Sequence, residues 1–341
     1  KYKIHKELDR KQKVINQMGN QGGANPLVKM VQNWVDSGKV GKISEVKVWT
    51  NRPVWPQGVK MQAPDPSLKP DSLDWNLWLG PASQKPYTPN LHPFNWRGWW
   101  EYGTGALGDV GCHLIDIPFR TLGLKYPKSA ECSVGSVFTK MWNPDYHPEG
   151  CPPSSLITLN FDSTEKSKSP IQLTWTDGGI RPPHPDIIPA DSDIGGPGSQ
   201  NGVLMIGDKG IISTNINDSS PLTPKLYLYD GQTEFGPEKE DMPEPEYGHQ
   251  RKWVDACKAG FNSKEHLDLT SSFDYAGPMT ETVLMGNLAI RSYMLRKEAP
   301  NGSFDYYARK KLIWDGENMK ITNIEEANQF VTRKYREGWK I

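Results

Sequence analysis

Two hydrophobic periods alternate along the 341 residues of the chain. Apolar positions three and four apart mark helices, and alternation at every second position marks strands. From Asn25 the pattern is helical: Pro26 stands early, Leu27, Met30, Val31, Trp34 and Val35 fall on one face, and Gly38 stops it. Ser44 to Thr50 alternates, with Val46 and Val48 on one side and Glu45, Lys47 and Trp49 on the other, which predicts a strand. Further strands are expected at 130–140, 155–162, 170–176, 203–206, 210–214 and 225–229, and helices at 247–259 and 275–295. At the N-terminal end residues 1–13 are polar and helix-compatible, and Lys13 to Met18 reads as a short strand running into Gly19-Asn20-Gln21-Gly22-Gly23. Residues 51–96 read as a long irregular connection packed on a neighbouring surface, and 177–202, rich in Pro and Gly, as a surface loop or lid. These elements predict an α+β fold: a large, open, mostly antiparallel sheet covered by helices.

The most informative stretch runs from Asn95 to Gly123, where an aromatic run meets a glycine-rich helix start. Leu107, Val110, Leu114, Ile117 and Thr121 form an apolar stripe, while Asp109, His113, Asp116 and Arg120 recur at the same spacing on another face. Asp109 and His113 are four apart, so their side chains project side by side; a carboxylate there orients the imidazole for acid/base work near neutral pH. Gly103, Gly105, Gly108 and Gly111 crowd this helix although each interior glycine costs about 1 kcal/mol relative to alanine. Close approach of a ligand or of another backbone would offset that cost. On spacing alone, the pair also fits a solvated helix face with glycines placed for packing. Upstream, Trp96, Trp99, Trp100 and Tyr102 flank Arg97, which could hold a hydroxyl while the rings form a wall; a core role for the rings fits as well. His184 stands in the Pro-rich loop and could close over a substrate.

Composition narrows the partners. With 36% hydrophobic and 23% charged residues the chain is globular, one large or two ordinary domains. Lys plus Arg and Asp plus Glu both total 40, and no basic run offers a footprint for nucleic acid. No apolar stretch approaches the ~20 residues that span a bilayer, so no membrane partner is expected. Cys112, Cys132, Cys151 and Cys257 are far apart and lack zinc spacing, so neither a metal nor a disulfide framework is expected. Thirteen Trp and 13 Tyr alongside 29 Pro and 32 Gly imply aromatic faces on shaped loops, which suit a carbohydrate; a large core with many turns accounts for the same counts. Lys1-Tyr2-Lys3 is not an initiator start, so the compartment stays open between bacterial cytoplasm and, if an export signal has been removed, periplasm.

The segment EYGTGALGDVGCHLID at 101–116 resembles the substrate-domain signature of the Gfo/Idh/MocA oxidoreductases, in which an Asp and a His four residues apart sit beside the nicotinamide. Agreeing stretches follow in the family's order: QMGNQG at 17–22, WTNRPVWPQG at 49–58, GDKGIIS at 207–213, GHQRKWVDACKAG at 248–260, DYAGPMTETVLMGNLAIR at 274–291 and WDGENMKITNIEEANQFVTRKYREGW at 314–339. The resemblance implies that residues 1–40 are the remnant of an N-terminal Rossmann domain and that 41–341 form the substrate-binding and oligomerisation domain. It implies an NAD(P)-dependent enzyme acting on a sugar, cyclitol or glycoside hydroxyl, with His113 as proton acceptor, Asp109 as its orienting neighbour, Arg97 and Tyr102 as substrate contacts, and Asn20 and Gln21 near the nicotinamide; Trp100 and His184 join the substrate-contact candidates from the aromatic run and the Pro-rich loop. A homodimer or homotetramer through the C-terminal sheet is implied too. The dinucleotide-binding GxGxxG does not occur before residue 50, and the family's Glu-Lys-Pro segment is missing, so the cofactor, NAD or NADP, is expected in a longer parent and this chain alone is expected to be inactive. Two other readings stay open: NAD-dependent redox-assisted glycoside cleavage, and a non-catalytic truncated module for sugar binding or oligomerisation.

Overall fold

The computed structural model describes residues 2–216, 221–236 and 248–339. Helix α1 (Tyr2–Gln12) leads through an extended segment and a single 3-10 turn (Gln21–Ala24) into α2 (Pro26–Asp36). Asn25 caps α2 by accepting from the Leu27 amide at 2.9 Å, Pro26 occupies a first-turn position where no amide is needed, and Gly38 leaves the helix at φ 69°. The apolar face read from the sequence is the buried one, with Leu27, Val28, Val31, Trp34 and Val35 in the core.

Strand β1 (Ile43–Trp49) follows, then α3 (Trp75–Leu79), α4 (Gly105–Leu114), α5 (Asp116–Thr121), β2 (Ser129–Val134), β3 (Ser155–Phe161), β4 (Ile171–Thr176), β5 (Gly202–Gly207), β6 (Gly210–Ile216), β7 (Pro221–Leu228) and β8 (Thr233–Phe235). The C-terminal part adds α6 (Gly248–Ala259), α7 (Lys264–Leu267), α8 (Phe273–Tyr293) and the short strands β9 (Lys297–Glu298), β10 (Phe304–Asp305), β11 (Leu312–Asp315) and β12 (Lys320–Ile321). Among the described residues ten strands form one sheet in the order β12-β11-β2-β3-β4-β1-β5-β6-β7-β8, and only β1 with β4 runs parallel. The fold is the expected α+β arrangement.

Period-two alternation separates the two faces of the sheet. Val46, Val48, Leu173, Trp175, Ile157, Leu159, Met205, Ile212 and Leu226 join the core shared with α2, α4, α5 and α8. Their neighbours Trp49, Leu204, Ile211 and Tyr227 point the other way, where Ile188 and Ile194 cover them. Segment 177–202 is therefore a surface covering on the sheet face away from α4 and not a lid over that helix.

Three further expectations change. Lys13 to Met18 is extended but forms no ladder, because no strand lies beside it among the described residues. Side chains and loops hold it instead: the Met18 amide donates to Ser271 O at 2.8 Å, Trp253 Nε1 to Ile15 O at 3.0 Å and Gln17 Nε2 to His249 O at 2.7 Å. The strand expected to reach 140 stops at Val134, where pairing with β3 ends. The helix expected from the stripes between Leu107 and Thr121 is divided at Ile115, since Pro118 has no amide to offer the preceding turn. The start of the helix expected from Tyr247 lies outside the described residues; its remainder is α6.

Candidate functional site

The stripe Asp109, His113, Asp116, Arg120 divides along its length. Asp109 and His113 on α4 are half-buried, whereas Asp116 on α5 is 1% exposed. The glycines that open α4 explain themselves by close packing. A Cβ on Gly103 would stand 2.7 Å from Arg97 Cα, one on Gly105 (φ 64°) 2.9 Å from Cys151 Sγ, and one on Gly108 would overlap the Thr104 side chain. Of the two compensations considered, approach of another backbone is what these contacts supply at Gly103. Residues 103–108 also spell G-x-G-x-x-G. It follows no strand here, and the chain's own atoms fill the space beside all three glycines, so it does not form a pyrophosphate cradle.

Asp109 does not turn to His113. Its Oδ1 accepts from Arg97 Nε at 2.8 Å, a pairing that brings the aromatic run onto the helix. Arg97 is fixed further by donating Nη1 to Phe94 O at 2.8 Å and by lying over the rings of Phe94 at 4.3 Å and Trp96 at 4.7 Å. The His113 imidazole takes no hydrogen bond among the described residues. Arg97 is thus at the site but bound to Asp109, a partner that local spacing did not predict across twelve residues.

The aromatic candidates form walls. Trp100 packs on the main core beside Arg291, 5.7 Å from its guanidinium carbon, with Nε1 enclosed. Tyr102 packs at a tilt on Trp78, ring centroids 5.2 Å apart, against a satellite core of Trp75, Leu79, Tyr87, Leu91 and Trp99; burial, then the Glu101 charge, push its phenol up to about 12. Its hydroxyl is enclosed and donates to nothing described. His184 bonds only within its own loop, its ring nitrogens 3.2 Å from Pro185 O and 3.0 Å from Ser192 O, and the structure does not join it to Asp109 or His113.

Below His113 the stripe enters a buried polar cluster. Asp116 Oδ1 accepts from Arg120 Nη2 at 3.0 Å and from the Tyr275 hydroxyl, and Arg120 Nη1 donates to Thr270 O at 2.7 Å. Burial pushes the Asp116 carboxyl up, against the opposing pull of Arg120 and of the Tyr275 and Asn20 side chains. Asn20, 2% exposed, faces this carboxylate, and its side chain favours the charged form. Gln21 opens the 3-10 turn and is half-buried. The Tyr275 partner was not legible beforehand: it is 159 residues away in sequence.

Among the described residues no group of three His, Cys, Asp or Glu could hold a metal ion, and no helix is long and apolar enough to cross a membrane. What remains is a broad sheet with the helix that bears Asp109 and His113 packed on it, walled by aromatic side chains.

Comparison with known proteins follows this geometry. Residues 24–133 match the family model described as the Gfo/Idh/MocA oxidoreductase family's C-terminal alpha/beta domain. No curated protein sequence matches the chain. Its fold is similar to an inositol dehydrogenase homolog complexed with NAD+ from Azotobacter vinelandii, at 13% identity and TM-score 0.51 over 90% of this chain and 68% of that one. A UDP-N-acetylglucosamine 3-dehydrogenase from Acidithiobacillus ferrooxidans matches at 10% identity and TM-score 0.47, over 86% of this chain and 67% of that one. An aldose-aldose oxidoreductase from Caulobacter crescentus matches at 12% and 0.47, over 81% and 62%. The chain therefore spans about two thirds of the length of these structures.

Proposed function

We propose that these residues are the substrate-binding part of an NAD(P)-dependent oxidoreductase acting on a sugar, cyclitol or glycoside hydroxyl. The observation that carries the reading is the mouth of α4: His113 half-buried with a free imidazole, beside an Asp109 carboxylate that Arg97 holds in place. An imidazole so placed can accept the hydroxyl proton as the C–O bond becomes a carbonyl. Arg97 and Asp109 keep the charges around it fixed, and the rings of Trp96 and Trp100 offer faces to a pyranose or cyclitol. When bound, the nicotinamide takes the hydride from the carbinol carbon. The described residues offer no pyrophosphate cradle.

The test is turnover of the complete natural protein with NAD+ or NADP+ over a panel of sugars, cyclitols and glycosides, followed by nicotinamide absorbance and keto-product analysis. His113→Ala is expected to lower turnover by about 100-fold or more, the usual scale for a positioned acid/base. Unchanged turnover would remove His113 from the reaction, and no cofactor reduction with any substrate would return the chain to a binding module. A second copy is proposed to pair on the polar sheet face of Glu45, Lys47, Thr158, Gln172 and Thr174, which segment 177–202 leaves uncovered. The solution mass decides that point.

A further inference from the structure

His113 stands near the end of α4 and the buried Asp116–Arg120 pair on α5, the helix that follows directly, and that pair meets the Gly19–Gly23 turn. The turn is held from two sides, and the pair that holds it is itself held. Asp116 and Arg120 approach from α5, with the Asn20 amide against the carboxylate. Thr270 and Ser271 approach from the segment before α8: Arg120 Nη1 donates to Thr270 O at 2.7 Å, and the Met18 amide to Ser271 O at 2.8 Å. Tyr275 on α8 holds the pair, its hydroxyl on Asp116 and its ring 3.9 Å from the Arg120 guanidinium carbon. The fit leaves no slack, since a Cβ on Gly23 would stand 2.5 Å from Arg120 Nη2 and 3.4 Å from Ser271 Oγ.

A buried ion pair is weak evidence of stabilisation, because an apolar replacement of equal volume is often as stable; its best attested use is to set registry. Arg suits that use, since its planar fork fixes direction as well as distance, here to Asp116 on one arm and to a backbone carbonyl on the other. Asp116 stands three positions after His113, so what the pair fixes is fixed close to His113.

We infer that Asp116 and Arg120 are positioning residues that hold the Gly19–Gly23 turn at a set place relative to His113, with Tyr275 locking their geometry. The inference rests on the oxidoreductase reading for its purpose, registering a nicotinamide-side turn against the proton acceptor, but its physical content is separate. Asn20, read from the sequence as a cofactor contact, is the turn's attachment point to this lock.

The experiment uses the complete natural protein with Arg120→Met, Arg120→Lys and Tyr275→Phe. The last removes a single hydroxyl and keeps the test valid should Arg120→Met fail to fold. Hydrogen exchange of the amides from Met18 to Asn25 is expected to rise about tenfold or more in Arg120→Met and less in Tyr275→Phe, while β3 and β4 amides hold their rates. The Michaelis constant for NAD(P)+ is expected to rise about tenfold with kcat changed less than about threefold, and Arg120→Lys to fall between. Unchanged exchange in a folded variant overturns the lock, and faster exchange with an unchanged Michaelis constant overturns its positioning role. Absence of cofactor turnover in the unaltered protein overturns the oxidoreductase reading, and the exchange measurement then still decides whether the lock exists.

Discussion

Asp177 shows how burial and hydrogen bonding compete at one carboxyl. It caps the end of β4, accepting from the Ser155 amide at 2.5 Å, from Ser155 Oγ at 2.8 Å and from Trp175 Nε1 at 3.0 Å. Burial nonetheless wins and pushes the carboxyl up to about 6 from 3.8. Between those values the folded state holds a proton that the unfolded chain has lost, so this group's contribution to stability is present below pH 4 and is lost as pH rises through 6. Two units correspond to about 3 kcal/mol at most. Comparing unfolding free energies of the natural chain and Asp177→Asn from pH 4 to 7, the natural chain should lose ground steadily; a constant difference would mean that Asp177 does not titrate there. Arg97 supports a second residue-scale prediction. Lysine keeps the charge but loses the Nε contact to Asp109 and the flat stack on Phe94 and Trp96. Arg97→Lys should therefore lower kcat by about tenfold while leaving the fold intact, as a position acting only in the transition state would; equal kcat would make the ion pair a surface feature. The Asp109–His113 stripe was legible because helical spacing is local. Neither pairing that gives it meaning was legible, since the partner of Asp109 lies outside the helix and that of Asp116 lies on α8.

At the scale of elements, the contact between α4 and α8 is set by one glycine. A Cβ on Gly286 in α8 would stand 2.6 Å from Leu107 Cδ2 and 3.5 Å from Ile157 Cγ2, so Leu107 inserts where α8 has no side chain. Adding a methyl group in a packed core forces rotamers or backbone aside at about 1–3 kcal/mol. Gly286→Ala should lower stability by that amount and shift α4 outward, with a larger fractional loss of turnover than of stability. Thermal melts and kinetics on the same preparation separate the two. Such contacts explain which elements the sequence revealed. Helix α2, β1 and β3 to β6 carry their periods inside one stretch of chain and were found within a few residues of their ends. Lys13 to Met18 has strand chemistry, but a strand needs a neighbour, and here its backbone is taken up by Ser271, Trp253 and His249. The short strands β8 to β12 went unread because two to four residues hold too little of any period.

Across the whole molecule, the site is assembled from segments far apart in the chain, and the C-terminal end straps one of them down. Arg336 donates Nη1 to Asn76 Oδ1 at 2.8 Å and to Gln84 Oε1, and Nη2 to Asn76 O at 3.2 Å. Its own amide reaches Pro81 O at 3.3 Å, and Arg333 Nη2 reaches Glu101 O at 2.7 Å. These contacts bind residues 333–336 to the stretch 76–101, whose satellite core of Trp75, Leu79, Tyr87, Leu91 and Trp99 is separate from the core under the sheet. The strap lies on exposed polar groups, so each bond is worth only about 0.5–1.5 kcal/mol, and the sheet does not depend on it. Deleting residues 333–341 should therefore leave the main unfolding transition nearly unchanged and open the 60–101 region locally. Limited proteolysis reads this directly: cleavage between Met61 and Glu101 should speed up in the shortened chain and in Arg336→Ala, while sites within β3 and β4 stay protected. Because Trp99 and Trp100 continue this segment into the wall beside α4, the same deletion should weaken substrate binding more than it slows the chemical step. If cleavage and binding both stay as they were, the satellite core holds the wall unaided and the strap is ornamental to the site.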